Sequence, residues 1–175
     1  MNIKKKILNS VLLIEIKKNS DSRGYFQRLY DRKIFKKKIK NISFCHFNSS
    51  FCKTKGTIRG LHGQKKPYQE DKLFKLISGK TFHVVVDYRK NSKNFLKCSN
   101  LIISEEDNYL LFVPKGFLHG FQSLKNNTFI IYNSSNIHSG ENEILVNYND
   151  PKLNINWPIK NIIASDKDSK LNFIN

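Results

Sequence analysis

Cysteine and long apolar runs are both scarce in this sequence. It holds three cysteines, Cys45, Cys52 and Cys98, and no C-x-x-C pair. Neither a disulfide framework nor a cysteine-rich zinc site is predicted, and reduced thiols in a cytoplasm are expected. The apolar run within residues 1–18 is short and is interrupted by Glu15. No segment has the length of a transmembrane helix or the form of a secretory signal, so no membrane partner is predicted.

Acidic residues are also few, because 14 Asp and Glu stand against 31 Lys and Arg, for a formal charge of +17. A basic chain favours an anionic partner, either a nucleic acid or a phosphate-bearing substrate. The lysines are scattered among asparagines, and neither a zinc-finger spacing nor an RNP-type aromatic strand occurs. No nucleic-acid partner is therefore predicted, and most of the charge is interpreted as a solvated surface.

Residues that favour β-strands are abundant in this sequence. Of its 175 residues, 39% are hydrophobic and 12% aromatic, which favours a globular β protein. Short apolar runs, most of them separated by turn residues, cover 11–16, 25–30, 42–48, 72–78, 81–89, 96–104, 109–114, 121–125 and 128–135. Short helices are expected at 31–40 and in the C-terminal tail. The pattern predicts an all-β fold, an antiparallel jelly-roll sandwich or barrel with a few short helices, in a single domain over residues 1–175.

The histidines are the first candidates for chemistry. They are His46, His62, His83, His119 and His138. The stretch "PKGFLH" (114–119) has the P-x-G-x-x-H form of many metal-binding jelly rolls. The H-x-H element that would complete such a site is absent, because Gly63 and Gln64 follow His62. A divalent metal needs three or four ligands, so no metal site is predicted.

Seven motifs follow one another along nearly the whole chain. They are "DSRGYF" (21–26), "RGLHGQ" (59–64), "KLFKLISGKTFHVVVDYRKNS" (72–92), "PKGFLHGF" (114–121), Tyr132, "NDP…NINWP" (149–158) and "ASDKD" (164–168). In this order the sequence resembles the dTDP-4-dehydrorhamnose 3,5-epimerase family. The resemblance implies a cupin-like jelly roll, a homodimer, no cofactor, and a nucleotide-diphosphate 4-keto-6-deoxy sugar as substrate. The C4 ketone of such a sugar acidifies the protons on C3 and C5.

The resemblance implies catalytic roles for four residues. His62 matches the base that removes a sugar proton, and a histidine pKa lies near the operating pH. Asp168 matches its carboxylate partner, although a capping carboxylate in a polar tail is the alternative. Tyr132 matches the acid on the opposite face, and Lys72 matches the cation near the C4 oxygen. Strand alternation places Lys72 on the face of two apolar side chains, the alternative being a lysine that snorkels at a strand end.

A second group of residues is expected to bind the substrate. Arg23 and Arg59 match arginines that hold the diphosphate, because a guanidinium is a planar fork of donors. The other predicted binding residues come from the same motifs or lie between them: Phe26, Arg28, His46, Asn48, Gln64, His83, His119 and His138.

Four of these positions depart from the usual family pattern. Arg28 replaces a Glu, His46 a Gln, and His138 a Tyr. Since an arginine donates where a carboxylate accepts, one hypothesis is a nucleotide base other than thymine; neutral drift is the alternative. His83 replaces an Asp, and we expect it to change the pKa of His62 or the choice of sugar carbon, without loss of proton transfer.

Three functional hypotheses follow from these observations. The leading one is an epimerase that inverts C3, C5 or both in a nucleotide-linked 4-keto-6-deoxy sugar, in deoxysugar biosynthesis for a surface polysaccharide. The second is a single-centre 3- or 5-epimerase on a GDP- or CDP-linked sugar, including a heptose. The third is a sugar-nucleotide-binding jelly roll without catalysis.

Overall fold

The computed structural model describes residues 1–171 and 173–174. It confirms the predicted jelly roll, since two antiparallel sheets pack face to face. The strands of the described residues are β1 (Asn2–Ile7), β2 (Val11–Glu15), β3 (Lys18–Asp21), β4 (Gly24–Gln27), β5 (His46–Cys52), β6 (Ile58–Gln64), β7 (Lys72–Ser78), β8 (Lys80–Asp87), β9 (Cys98–Ser104), β10 (Tyr109–Val113), β11 (Phe117–Ser123), β12 (Thr128–Ser134) and β13 (Glu143–Leu145). The helices are α1 (Arg32–Lys38) and α2 (Asp166–Ser169), with one 3-10 turn at Gly140–Asn142.

The sheets bring together strands that are distant in sequence. One sheet has the order β1-β2-β10-β7-β12-β5, and the other has the order β13-β6-β11-β8-β9. Strand β6 therefore lies beside β11, and β7 lies beside β12. Strands β3 and β4 pair only with each other within the described chain and form a separate hairpin.

Apolar side chains fill the space between the sheets and also cover their outer faces. The interior core includes Leu76, Val85 and Leu111, all buried; each such side chain stabilises the fold by about 1.5–3 kcal/mol. Helix α1 packs Phe35 on the outside of the six-stranded sheet. The C-terminal segment packs Trp157 on the outside of the five-stranded sheet. Strand β8 is consequently buried on both of its faces.

Helix α1 confirms the short helix expected at 31–40. The side chain of Asp31 caps its start by accepting the backbone N–H of Ile34 at 3.0 Å. Three lysines, at 36–38, occupy its last turn, where positive charge complements the helix dipole. One buried residue, Phe35, anchors the helix to the sheet.

Some strand positions expected from the sequence were wrong. The run 42–48 is not a strand throughout, because Ile42 packs into the cluster under α1 and pairing with β12 begins only at His46. The expected strand at 121–125 lies earlier, at Phe117–Ser123. The expected strand at 25–30 ends at Gln27, and its first part forms one arm of the β3–β4 hairpin. Strand β6 was missed because its glycines interrupt the alternation that marks a strand.

Candidate active site

A cavity of about 310 Å³ opens between the two sheets. Six elements or their caps contribute its lining: Ser49, Ser50, Arg59, His62, Lys72, Phe74, His119, Phe121, Tyr132, Ser165, Lys167 and Asp168. All four residues predicted to be catalytic are in this lining, with two of the predicted binding residues, Arg59 and His119. A cavity of this size, with apolar walls and a few converging polar groups, is typical of a small-molecule site.

A bulge in β6 brings Arg59 and His62 to the same wall. Residues three apart in a regular strand point to opposite faces. Their partners on β11, however, are only two residues apart, so β6 carries one extra residue here, and the alternation shifts. Gly60 occupies the bulge with φ of 128°, and a Cβ added to it would lie 2.5 Å from the Cα of Gly120. A residue with a side chain does not fit there.

His62 is paired with Asp168. Its Nε2 lies 2.6 Å from Oδ1 of Asp168, which α2 supplies after Ser165 caps the helix by accepting the Asp168 N–H at 3.1 Å. Burial by itself raises the pKa of Asp168, but the hydrogen bond and charge of His62 and the hydrogen bonds from Gly60 and Ser165 outweigh it and leave the pKa below its ordinary value. The carboxylate stays ionised, so it orients the imidazole and stabilises its protonated form.

Tyr132 enters the cavity from the opposite wall, because β12 belongs to the six-stranded sheet and β6 to the five-stranded one. Its ring stacks on Phe74, with centroids 5.1 Å apart. Burial and the charge of Glu70 raise the pKa of Tyr132, against a smaller opposing effect of Arg59. The phenol therefore keeps its proton at neutral pH and is able to donate it.

Cationic side chains surround this space. Lys72 shares the cavity lining with Phe74, as strand alternation predicts, and its Nζ lies 2.8 Å from Oε1 of Glu70. A guanidinium nitrogen of Arg59 donates to a backbone carbonyl of β5 at 3.1 Å. Lys167 also lines the cavity and pairs with the Glu143 carboxylate. The cavity thus suits an anionic ligand.

His119 and His83 form a second hydrogen-bonded pair beside the His62–Asp168 pair. His119 is directly opposite His62 across the β6–β11 ladder. Its Nε2 lies 2.9 Å from Nδ1 of His83, which is 1% exposed. Burial lowers the pKa of His83 to about 3. The structure therefore places His83 behind His119 and not at the cavity wall, so any effect on His62 is indirect.

Three predicted binding residues lie away from the cavity. Arg23 is on the β3–β4 hairpin, where it pairs with Asp21 at 2.7 Å. Phe26, on the same hairpin, is 60% exposed. Arg28 lies 3.5 Å from Asp31 at the start of α1. The single chain does not bring these three side chains to the site.

The other four predicted binding residues are not part of the cavity lining. His46 and Asn48 are on β5, opposite β12 residues that include Tyr132, so they share its face of the sheet. The buried Gln64 amide donates to the backbone carbonyl of 137 at 3.3 Å and accepts from the N–H of 139 at 2.9 Å. His138 lies 3.0 Å from Glu143 at the surface. Their roles in binding stay predictions.

Sequence reasoning missed several side chains of the cavity. Ser50 is the clearest case, because its hydroxyl is buried and has no hydrogen-bond partner among the described residues. It lies two residues after Asn48 on β5, so the period of a strand was a signal for it. Lys167 and Phe121 lie within quoted motifs, but nothing local distinguished them from surface or core residues.

Two negative findings apply to the described part of the chain. None of its helices has both the length and the apolar character needed to cross a membrane. Within residues 1–171 and 173–174, no three His, Cys, Asp or Glu side chains converge as a metal cage requires. Together, the fold and the cavity define a cupin-like jelly-roll protein equipped for acid–base chemistry on an anionic ligand.

Comparison with known proteins gives the family. The sequence model of the dTDP-4-dehydrorhamnose 3,5-epimerase family matches residues 5–175. The chain is 37% identical to the dTDP-4-dehydrorhamnose 3,5-epimerase of Shigella flexneri, over 96% of this chain and 93% of the relative. The chain therefore belongs to the dTDP-4-dehydrorhamnose 3,5-epimerase family and is an isomerase, which confirms the resemblance seen in the sequence.

Solved structures agree with this assignment. The dTDP-4-dehydrorhamnose 3,5-epimerase of Bacillus anthracis, crystallised with TDP and PPi bound, superposes with a TM-score of 0.95 at 35% identity over 99% of each chain. The dTDP-6-deoxy-D-glucose-3,5-epimerase of Legionella pneumophila, in complex with dTDP-4-keto-L-rhamnose, superposes with a TM-score of 0.88 at 32% identity, over 95% of this chain and 88% of that one.

Proposed function

We propose that this chain epimerises C3 and C5 of a dTDP-linked 4-keto-6-deoxy sugar. The observation that carries the proposal is the pair of opposed walls: His62, held 2.6 Å from Asp168, faces a cavity that Tyr132 enters from the other sheet. Inversion needs a base on one face of the sugar and an acid on the other. The names of the relatives point to a dTDP-linked keto sugar as the ligand of such a cavity.

In the first step His62 removes the proton from the carbon next to the C4 ketone. The electron pair of the broken C–H bond forms the C=C bond of an enolate, and the carbonyl π electrons move to the C4 oxygen. Asp168 is ionised and bonded to the imidazole, so it stabilises the positive charge that His62 gains.

The enolate oxygen needs positive charge or hydrogen-bond donors around it. Lys72 lines the cavity and supplies a cation held in place by Glu70. Because the side chain is only 20% exposed, water screens this charge weakly. A fixed cation that meets charge only as it develops lowers the barrier more than it strengthens ground-state binding.

In the second step Tyr132 returns a proton to the same carbon from the opposite wall. Its raised pKa keeps the phenol protonated until the enolate forms. The Tyr132 phenolate and the protonated His62 then recover their starting states by proton exchange with solvent. Repetition at the second carbon completes the 3,5-epimerisation.

We propose further that a homodimer completes the site. Two arginines were predicted to hold the diphosphate. Within one chain Arg59 lines the cavity, whereas Arg23 lies on the β3–β4 hairpin, away from it. Large apolar side chains are exposed on that hairpin and on edge strand β5, with Phe26 60% and Phe47 69% exposed. Exposed apolar patches of this kind mark interaction surfaces. Sedimentation of the full chain tests this proposal, and a monomer at assay concentration contradicts it.

The proposed nucleotide is dTDP, in place of the other bases raised by the sequence. Arg28 and His138, two residues that motivated those alternatives, pair with Asp31 and Glu143 in this chain. Two relatives with solved structures are bound to TDP or to a dTDP sugar. Competition binding of dTDP, GDP, CDP and UDP decides the matter, and a clear preference for a nucleotide other than dTDP contradicts the proposal.

The central test is proton exchange followed by NMR. The protein is incubated in deuterated water with dTDP-, GDP- and CDP-linked 4-keto-6-deoxy sugars, with the His62→Asn variant as control. Deuterium uptake at C3 and C5 of the dTDP sugar is expected. Uptake at one carbon shows a single-centre epimerase. Tight nucleotide binding without any uptake shows a binding protein and overturns the proposal.

We place the reaction in deoxysugar biosynthesis for a surface polysaccharide, on family membership alone. Disruption of the gene should remove one deoxysugar from the surface glycans of the source organism. An unchanged sugar composition contradicts this placement but does not bear on the proposed epimerase reaction.

A further inference from the structure

The carboxylate of Glu70 lies at the wall of a cavity whose other features suit an anionic ligand. Its side chain is 9% exposed, and its Oε1 lies 2.8 Å from Nζ of Lys72. Glu70 and Lys72 line a recess of about 10 Å³ beside His62 and His119, which is roughly the space of one water. A buried carboxylate costs free energy unless a cation offsets it, and this one also repels an anionic ligand. A negative charge at this place therefore calls for a functional explanation.

The lysines and the arginine that line the cavity differ in their partners. Lys72 is paired with Glu70, and Lys167 is paired with Glu143. Arg59 donates to a backbone carbonyl of β5 at 3.1 Å and forms no ion pair with the described residues. Among these cations, the charge that no described carboxylate neutralises is consequently that of Arg59. An anionic group gains most from binding beside it.

The Arg59 end and the Lys72 end of the cavity are separate. In the β6–β11 ladder, Arg59 is opposite Phe121. Phe117, four residues earlier on β11, lines the recess that Lys72 lines, and Arg59 does not. Because a strand rises about 3.3 Å per residue, four residues span roughly 13 Å. His62 is opposite the midpoint of this span, so the proposed base lies between the two ends.

Glu70 makes the Lys72 end unfavourable for phosphate. A phosphate oxygen that bonds to Nζ of Lys72 comes within about 6 Å of the Glu70 carboxylate, because two successive hydrogen bonds separate them. At this distance in a partly buried site, two like charges repel strongly enough to weaken binding roughly ten- to a hundredfold. An uncharged ketone oxygen does not meet this repulsion when it binds. Nζ has three donors, so Lys72 bonds to Glu70 and still donates to a ligand.

We propose that Glu70 is a specificity-determining residue: its negative charge keeps phosphate groups away from Lys72, so that the anionic part of the ligand binds at Arg59 and its uncharged end at Lys72. The orientation of the ligand rests on the proposed function, in which a nucleotide-diphosphate sugar presents its ketone to Lys72. The exclusion of phosphate rests on the position of Glu70 alone. Without this charge, the ligand would also bind with a phosphate at Lys72 and its sugar away from His62.

A matched set of variants separates the charge of Glu70 from its shape. Glu70→Gln keeps the size of the side chain and an oxygen that accepts from Lys72, but it removes the charge. Glu70→Asp keeps the charge. Glu70→Ala also removes the charge and replaces Glu70→Gln if that variant does not fold. Glu105→Gln is the distant control, since Glu105 pairs with Lys125 at 3.0 Å and does not line the cavity.

The first test measures the binding of inorganic phosphate by calorimetry to protein saturated with dTDP, which fills the Arg59 end. We expect weak phosphate binding to the wild type, Glu70→Asp and Glu105→Gln. We expect Glu70→Gln to bind phosphate about ten- to a hundredfold more tightly. Adding Lys72→Met to Glu70→Gln should remove the gain, because the cation that holds the phosphate is then absent. Equal phosphate affinity in the wild type and Glu70→Gln, or a gain that survives Lys72→Met, overturns the proposal.

The second test uses no nucleotide and so does not depend on the proposed function. Arg59→Gln removes the competing phosphate site from the free protein. Phosphate should then bind to the double variant Arg59→Gln/Glu70→Gln at least about tenfold more tightly than to Arg59→Gln alone. Equal affinities contradict the proposal. A wild-type protein that lacks epimerase activity counts against the proposed function, whereas this titration judges the role of Glu70 by itself.

Discussion

Two histidines of the five-stranded sheet, His62 and His83, differ in their hydrogen-bond partner and in their exposure to water. His62 lies 2.6 Å from a carboxylate, and its side chain is 35% exposed. His83 lies 2.9 Å from a second histidine and is 1% exposed. The same side chain therefore meets opposite conditions on β6 and β8, the two strands that flank β11. The partner and the access of water, and not the residue type, decide what each imidazole does.

The difference is one of charge. The Asp168 carboxylate stabilises a protonated His62, so this pair can take up a proton during a reaction cycle. Burial keeps His83 neutral, and no carboxylate among the described residues bonds to it. The second pair is therefore suited to a fixed hydrogen-bond pattern.

The largest effect is expected from His62→Asn, which removes the proposed base. We expect kcat/KM to fall about 10³- to 10⁴-fold, the upper part of the range that a general base contributes. Solvent deuterium uptake measures it, and dTDP affinity close to that of the wild type serves as the control for folding. Uptake within a few-fold of the wild type would place the base elsewhere.

Asp168→Asn keeps the shape of the first pair and removes its charge. We expect a loss of about 10²- to 10³-fold in kcat with little change in KM, because the charge is needed only when His62 is protonated. Asp166→Asn is the matched control, since Asp166 lies on the same helix with its side chain 90% exposed and pairs with Lys170. Equal losses in the two variants would refute a specific role for Asp168.

The second pair should appear in the pH dependence of stability. His83 has a folded pKa of about 3, below the unfolded value of 6.5, so only the unfolded chain takes up this proton between these values. The free energy of unfolding should therefore fall as the pH is lowered, by about 3 kcal/mol from His83 between about pH 7 and pH 4. Urea unfolding at both pH values measures it, and His83→Asn should show a smaller fall. An identical fall in both proteins would exclude His83 as its source.

The smallest effect concerns a third pair, which has a carboxylate but is open to water. His138 lies 3.0 Å from Glu143, and its side chain is 61% exposed. Water and salt screen such a pair, so His138→Ala should change the free energy of unfolding by less than about 1 kcal/mol. Thermal unfolding checks this, and a loss of several kcal/mol would show that a carboxylate partner matters even without burial.

Much of the fold was predictable from local patterns. The short apolar runs predicted an antiparallel jelly roll because strand formation depends on residue type and alternation. Strand β6 escaped the pattern, since Gly60 and the bulge around it break the period of two. The start of β5 was placed too early because Ile42 is apolar for a different reason, its contact with the cluster beneath α1.

The family motifs predicted which residues form the site, but they did not predict how these residues are arranged. Asp168 lies 106 residues after His62, so no local spacing connects them. Ser50 was overlooked, although it shares the face of Asn48 on the edge strand. A search for inward positions on each strand would have found it.

The sequence was enough to predict the class of fold, the family, and four side chains that line the cavity, which are His62, Lys72, Tyr132 and Asp168. These follow from residue types and their order, which survive without coordinates. The folded chain was needed to show that Arg59 and His62 share a wall, and that His83 bonds to His119 behind the cavity. Those facts depend on a bulge and on the register of strands distant in sequence, and the pKa of a buried group depends on neighbours that only folding brings to it.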